Sequence, residues 1–177
     1  MTTTVLVAYA TKYGSTREVA EAIAATLSLE GLEVEIQPAR EVRSLDGYGA
    51  VVLGAALYMG RWHKDARRFL KRHRAALSQR QVAIFALGPL SAAEEDRRGS
   101  REQLDRALAQ VPWLTPVEVE MFGGMINPAQ LHFPFNHMPA GDARDWKAIR
   151  AWASKLAAQL RPQPVLADTS TPALVGG

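Results

Sequence analysis

The chain has 177 residues, 47% of them hydrophobic, which suffices for one domain whose core needs no covalent staples. It contains no cysteine, excluding disulfides, thiolate catalysis and cysteine-ligated zinc or iron–sulfur centres, and its formal charge of +3 is too small to imply nucleic acid by itself. With no run of about 18 apolar residues and no basic, apolar, small-residue leader pattern, the expectation is a soluble, cytoplasmic protein without a transmembrane segment, peripheral membrane association being left open.

Residues 4–10 read as a buried strand, because Val5, Leu6, Val7 and Tyr9 make a short apolar run that stops at small and polar residues. The period then changes. Val19, Ala20, Ile23, Ala24 and Leu27 recur at helical spacing, which predicts an amphipathic helix over 16–29 with Arg17, Glu18 and Glu21 in water. Gly31 is a natural stop, and Leu32, Val34 and Ile36 then alternate with Glu33 and Glu35 as in an exposed strand. Further on, the pattern predicts a central strand at 50–54, a helix at 64–77, a strand at 81–87, a helix at 101–109 and a fifth strand at 117–122.

A closing helix is expected at 145–160, with Trp146, Ile149, Trp152, Ala153, Leu156 and Leu160 inward and Asp142 or Asp145 as its cap. Such alternation of strands and helices implies the α/β class with a parallel, doubly wound sheet. Between the last strand and helix, residues 123–141 combine Pro128, Pro134 and Pro139 with Met125, Leu131, Phe133, Phe135 and Met138. That loop is too apolar for water and is expected to be a lid, a partner surface or packing against the last helix. One domain over 1–160 and a flexible, proline-rich tail over 161–177 complete the expected organisation.

An open parallel sheet carries its ligand beyond the carboxyl ends of the strands, near the point where strand order reverses. Thr11, Lys12, Tyr13, Gly14, Ser15 and Thr16 lie at such an end and lead straight into a helix, whose first N–H groups have no partner within it. The hydroxyls of Thr11, Ser15 and Thr16 add donors and Gly14 permits a positive φ, so the segment is a candidate phosphate cradle. The plainer alternative makes Ser15 a helix cap, with Glu18 completing a capping box. Lys12 is either an electrostatic aid or a solvated side chain. The loop is neither GxGxxG nor GxxxxGK[ST], which argues against a conventional dinucleotide site or a nucleoside triphosphatase.

The run Val5-Leu6-Val7-Ala8-Tyr9-Ala10-Thr11-Lys12-Tyr13-Gly14-Ser15-Thr16 resembles the first strand and FMN phosphate loop of flavodoxins. The resemblance continues through Tyr48-Gly49-Ala50-Val51-Val52-Leu53-Gly54-Ala55-Ala56-Leu57-Tyr58-Met59-Gly60, Ala83-Ile84-Phe85-Ala86-Leu87-Gly88-Pro89 and Asp145-Trp146-Lys147-Ala148-Ile149-Arg150-Ala151-Trp152, spanning residues 4–160. These later runs look closest to the flavodoxin-domain branch that includes menaquinone-dependent protoporphyrinogen oxidase. The resemblance implies a flavodoxin-like doubly wound sandwich with a five-stranded parallel sheet, and FMN as cofactor with its phosphate held by residues 11–16. It further implies a flavin ring bordered by Ala55, Ala56, Leu57, Tyr58, Met59, Gly60 and Trp62, and by Leu87, Gly88 and Pro89. Tyr58 and Trp62 are candidates to pack on the ring, or ordinary core and surface aromatics.

Two departures stand out. Electron-carrying flavodoxins are commonly acidic, whereas Arg61, Lys64, Arg67, Arg68, Lys71, Arg72 and Arg74 crowd together here with only Asp65 among them. The protoporphyrinogen-oxidase type also has a longer insertion after the fifth strand than residues 123–141. The main expectation is an FMN-dependent oxidoreductase, protoporphyrinogen-oxidase-like or quinone-linked; the alternative is a flavodoxin-like electron-transfer protein without an organic substrate. Either needs an electron donor and acceptor, with a quinone or an acidic tetrapyrrole as candidates. Nucleic acid is not an expected partner. The basic helix is read first as solvated charge and second as attraction for an acidic substrate or redox partner. His63, beside the expected flavin edge, is a candidate proton carrier, and no ligand spacing points to a metal.

Overall fold

The structure, a computed structural model, describes residues 4–58, 60–90, 93–133, 135–137 and 140–160. The expected tail at 161–177 lies outside the described residues, as do Met59, Pro134, Met138, Pro139 and the side chain of Phe135. Five strands, β1 (Thr4–Ala10), β2 (Glu33–Pro38), β3 (Ala50–Tyr58), β4 (Gln81–Leu87) and β5 (Glu118–Phe122), pair in parallel in the order β2-β1-β3-β4-β5. Flavodoxin itself is a reference case for this order. The helices are α1 (Ser15–Leu29), α2 (Lys64–Arg72), α3 (Arg74–Leu77), α4 (Glu94–Ala109) and α5 (Trp146–Leu160).

The core follows from the two-residue period of the strands. Val5, Val7 and Tyr9 point to one side, where Val19, Ile23 and Leu27 of α1 meet Ile149, Trp152 and Leu156 of α5. Leu6, Ala8 and Ala10 point to the other, against Phe69 and Leu70 of α2, Leu77 of α3 and Leu104 of α4. Both faces are therefore dry, which is why β1, β3 and β4 are continuous apolar runs rather than alternating ones. Phe85, Phe122 and Trp152 cluster, both phenyl rings meeting the indole edge to face and each other at a tilt, with centroids 5.7 to 6.2 Å apart. Gly54 makes room for them, since a Cβ there would lie 1.8 Å from the Phe85 ring.

Four differences from the sequence expectation have local causes. β3 continues past residue 54 to Tyr58 because its end turns into a hairpin, Leu57 opposite Trp62 and Tyr58 opposite Arg61, with Gly60 at φ +75°. The expected helix at 64–77 divides at His73, whose Nε2 bonds the Val42 carbonyl at 3.2 Å. α4 starts at Glu94, seven residues before the expected 101, in a stretch whose side chains all stay outside the core. The described residues of 123–141 hold more regular structure than a loop: Met125–Ile126 pair antiparallel with Gly141–Asp142, and short helical turns occupy Pro128–Gln130 and Phe135–His137. No described helix is long and apolar enough to cross a membrane.

Candidate functional site

The chain leaves β1 to opposite sides for β2 and β3, so a crevice opens beyond the carboxyl ends of β1 and β3. A cleft of about 530 Å³ occupies it. Thr11, Lys12, Tyr13 and Ser15 form one side, Ala56, Leu57, Tyr58 and His63 a second, and Leu87, Gly88 and Leu90 a third. A further wall, built by Gly124, Met125, Ile126, Asn127, Gln130 and Leu131, is one that sequence reasoning did not assign to the site. Its signal in the sequence was the apolar content of an otherwise loop-like segment.

At the base, Gly14 takes φ +92°, a backbone state that L side chains rarely adopt, and stands at the N-cap of α1 without a side-chain cap. Its N–H donates to Thr11 Oγ1 at 2.8 Å. Ser15 is therefore the first helical residue rather than the cap, and Glu18 does not close a capping box: its carboxylate accepts from Arg144 Nη1 at 2.9 Å. Thr16 is fully buried, and its Oγ1 has no hydrogen-bond partner among the described residues. An unused hydroxyl in the first turn of a helix, beside N–H groups the helix cannot satisfy, is what an incoming phosphate oxygen would complete. Thr11 Oγ1, although it already accepts from Gly14 N–H, still has its own proton to donate.

Arg144 fixes this end of α1. Its side chain is 5% exposed and forks onto Asp142, Nε to Oδ1 and Nη2 to Oδ2 both at 2.9 Å. Nη1 reaches the Ser15 carbonyl at 3.3 Å as well as Glu18, and the guanidinium lies 4.8 Å from the Trp146 ring centroid. The Asp142 bond, ahead of all other causes, lowers the Asp142 carboxyl below the usual range and raises the Arg144 guanidinium further. Asp145, the other expected cap, does cap α5 by accepting from Ala148 N–H at 3.0 Å.

The upper walls sort the remaining expected residues. Tyr58 is 49% exposed at the mouth, with Lys12 Nζ between it and Tyr13, 5.7 and 5.1 Å from the two centroids. Trp62 does not line the cleft. It is buried on the α2 side of the sheet and its Nε1–H donates to the Ala55 carbonyl at 3.1 Å, so it supports the hairpin from below, and Ala55 is buried with it. Gly60 is the exposed turn of that hairpin. Gly88 N–H donates to the Phe122 carbonyl at the end of β5 at 2.8 Å, and Pro89 is laced to the fourth wall by Gly124 N–H, which donates to its carbonyl at 2.9 Å.

His63 faces the cleft as the N-cap of α2, its Nδ1 accepting from Asp65 N–H at 3.1 Å. That bond leaves the proton of the neutral ring on Nε2. Burial first, then the positive charges of Lys64, Arg67 and Lys12, depress its pKa against the opposing pull of Asp65. Among the described residues no group of three or more His, Asp or Glu could hold a metal ion.

A flavodoxin-domain family model matches residues 6–138. The chain belongs to the flavodoxin domain family. Within it, the chain is 26% identical over 94 residues to the Escherichia coli (strain K12) protein named protoporphyrinogen IX dehydrogenase [quinone], the match covering 52% of each. It thus spans about half the length of the curated relatives it matches. Among solved structures, oxidised flavodoxin 1 from Bacillus cereus superposes with a TM-score of 0.61 at 17% identity, over 89% of this chain and 99% of that one. A point mutant of flavodoxin from Pseudomonas aeruginosa gives 0.59 at 18% identity, over 89% and 98%. These two likenesses establish the flavodoxin fold, with its five-stranded parallel sheet between helical layers.

Proposed function

We propose that the cleft binds FMN and that the chain is an electron-transfer protein of the flavodoxin type. The observation that carries this reading is the cradle at residues 11–16: a left-handed glycine, a helix N-terminus and a buried, unpartnered Thr16 hydroxyl at the switch point of the sheet. FMN, when bound, supplies the redox chemistry. The chain holds and shields it. Thr11, Ser15 and Thr16 would donate to the phosphate, and Lys12 would add charge at the mouth. Tyr58 offers a partly exposed aromatic face to a flat ring, and Met125, Ile126 and Leu131 keep water from the side across the cleft. His63 presents an Nε2–H donor to the interior.

This favours the alternative of the sequence reading over its main expectation of an organic-substrate oxidoreductase. Family membership and the likeness to flavodoxins support a carrier, and of the acidic or basic groups lining the cleft, Glu18 is committed to Arg144. One observation favours a second reading. The wall at 124–131 gives the cleft an apolar side that a quinone or a tetrapyrrole would fit, and the E. coli relative is named for a protoporphyrinogen and quinone reaction.

Titration of the flavin-free protein with FMN and riboflavin tests the first reading. Thr11→Ala, Ser15→Ala and Thr16→Val should each weaken FMN by about 1.5 to 3 kcal/mol, the range for a hydrogen bond to a charged group, and leave riboflavin nearly unchanged. Equal weakening of both flavins would reject the assigned phosphate contacts. Anaerobic mixing of the FMN-loaded protein with protoporphyrinogen and with a quinone tests the second, since formation of porphyrin would replace the carrier reading by an enzyme.

A further inference from the structure

The outward face of α2 is cationic along its whole length. Ala66, Phe69 and Leu70 turn into the core, and the opposite side carries exposed Lys64, Arg67, Arg68, Lys71 and Arg72. Folding enlarges the patch in a way sequence spacing does not show. The short helical turn Ala39–Glu41 packs against α2, and Arg40 and Arg43 meet Arg72 there, with Glu41, around a shallow concavity of about 760 Å³. Of the chain's 21 Lys and Arg and 18 Asp and Glu, this face takes seven and two, so the remainder of the chain holds more acid than base. The molecule is electrically polar despite its small net charge.

α4 shows what an ordinary solvated helix of this chain looks like. Three of its four arginines are paired with carboxylates one turn away, Arg98–Glu94, Arg101–Asp105 and Arg106–Glu102, and among the described residues Arg97 alone is not. On α2 the same spacing sets like charges together, Lys64 with Arg68, Arg67 with Lys71 and Arg68 with Arg72, an arrangement that opposes helix formation. Asp65 approaches Arg68 and His63 only at 4.0 Å, and Lys64, Lys71, Arg72, Arg40 and Arg43 have no carboxylate partner among the described residues. The patch also begins at the cleft, because His63 at the head of α2 lines it and Arg61 stands opposite Tyr58 at its mouth. On α2 the large apolar side chains, Phe69 and Leu70, are buried, leaving none on this face to stack on a base or enter a lipid surface.

We propose that this face is the docking surface for an acidic protein, which it orients toward the mouth of the cleft. Only the purpose of that orientation rests on the redox reading; the docking rests on the charge. Titration of the flavin-free and the FMN-loaded protein with a strongly acidic [2Fe–2S] ferredoxin as the probe, followed by calorimetry from about 20 to about 300 mM salt, tests it. Saturable binding that fades with salt is expected in both forms, and Lys64→Glu/Arg68→Glu/Lys71→Glu should weaken it at least roughly tenfold. Reversal of the exposed Lys147 and Arg150 on α5, across the sheet, should leave it within about twofold. Equal weakening by the two sets would reduce the effect to net charge and overturn the proposal. So would the absence of ferredoxin binding, or stronger, α2-dependent binding of phosphatidylserine vesicles or duplex DNA. Ferredoxin binding by a protein that takes up no FMN would leave this proposal standing and remove the redox reading instead.

Discussion

Arg144 is a single side chain on which two parts of the cleft depend, since it holds the first turn of α1 through Ser15 and Glu18 and the Gly141–Asp142 strand through Asp142. A lysine cannot reproduce that planar fork. Its two carboxylate partners are 44% and 56% exposed, so solvent discounts the loss, and Arg144→Lys should cost about 1 to 2 kcal/mol in denaturant unfolding. If residues 11–16 hold the phosphate as proposed, FMN affinity should fall more than riboflavin affinity, because that end of the cleft loses its anchor; paired titrations decide it, and an equal fall would make Arg144 merely structural. His73 sets a pH dependence of a different kind. Burial depresses its pKa below the ordinary 6.5, although the Val42 carbonyl that accepts from Nε2–H pulls the other way. The folded chain thus resists a proton that the unfolded chain accepts, so stability is highest above about pH 6.5 and falls as the pH drops from there toward the depressed folded value. His63 adds a loss of the same sign. His73→Gln should flatten, without abolishing, the decline in unfolding free energy measured between about pH 7 and pH 5.

Among the elements, those of the sheet were legible because strands buried on both faces leave continuous apolar runs, and α1 and α5 because their buried stripes recur at helical spacing. The first two turns of α4 were not. Only Leu104 of that helix is buried, and the Glu94 to Ser100 stretch turns no side chain into the core, so it leaves no apolar stripe to read. The loop at 11–16 could be proposed as a phosphate cradle because its residues are adjacent in the chain, and four of them do line the cleft. The wall at 124–131 left only its apolar content, enough to expect a lid, a partner surface or packing but not to place it, since a two-residue strand has no period and its partner strand begins sixteen residues on. Trp62 illustrates a further limit, because which face of a hairpin a side chain takes depends on a register, Leu57 opposite Trp62, that composition does not encode. Gly124 tests how the wall is seated. A Cβ there would lie 2.4 Å from the Gly88 carbonyl oxygen, a backbone atom that cannot swing aside, so Gly124→Ala should cost about 1 to 3 kcal/mol and alter the near-ultraviolet circular dichroism of bound flavin. Gly99, inside α4, is the contrast: nothing lies within 4 Å of its missing Cβ, and Gly99→Ala should stabilise by about 0.5 to 1 kcal/mol. Equal effects of the two substitutions would show that the wall yields freely.

For the molecule as a whole, the flavodoxin-domain match ends at residue 138, yet the core does not. Ile149, Trp152 and Leu156 of α5 cover one face of the sheet together with α1, and Glu118 at the start of β5 is tied to α5 by Gln159 at 2.6 Å and Lys155 at 3.0 Å. Those bonds, Gln159 first, hold the Glu118 carboxyl below its ordinary range. The two large faces thus have different tasks. Both sides close a layer of the core, but the side of α1 and α5 also fixes the first turn of α1 through Arg144, whereas the side of α2 carries the unneutralised charge. The fold was readable from a few contiguous segments. The choice between carrier and enzyme was not, because it depends on what reaches the mouth of the cleft, and that is decided by walls and charges assembled from segments far apart in the chain.

The narrow ribbon in which Met125 faces Asp142 has a kinetic consequence. Through Arg144 it shares its fastening with the turn around Ser15, so neither can swing out while the other keeps its full set of bonds. Departure of anything held in the cleft then becomes a cooperative opening rather than a peeling from one end. Residence time should follow the exchange protection of the amides near Ile126 and Ser15 together, with one exponential phase for escape, and loosening either segment would shorten it as much as loosening both.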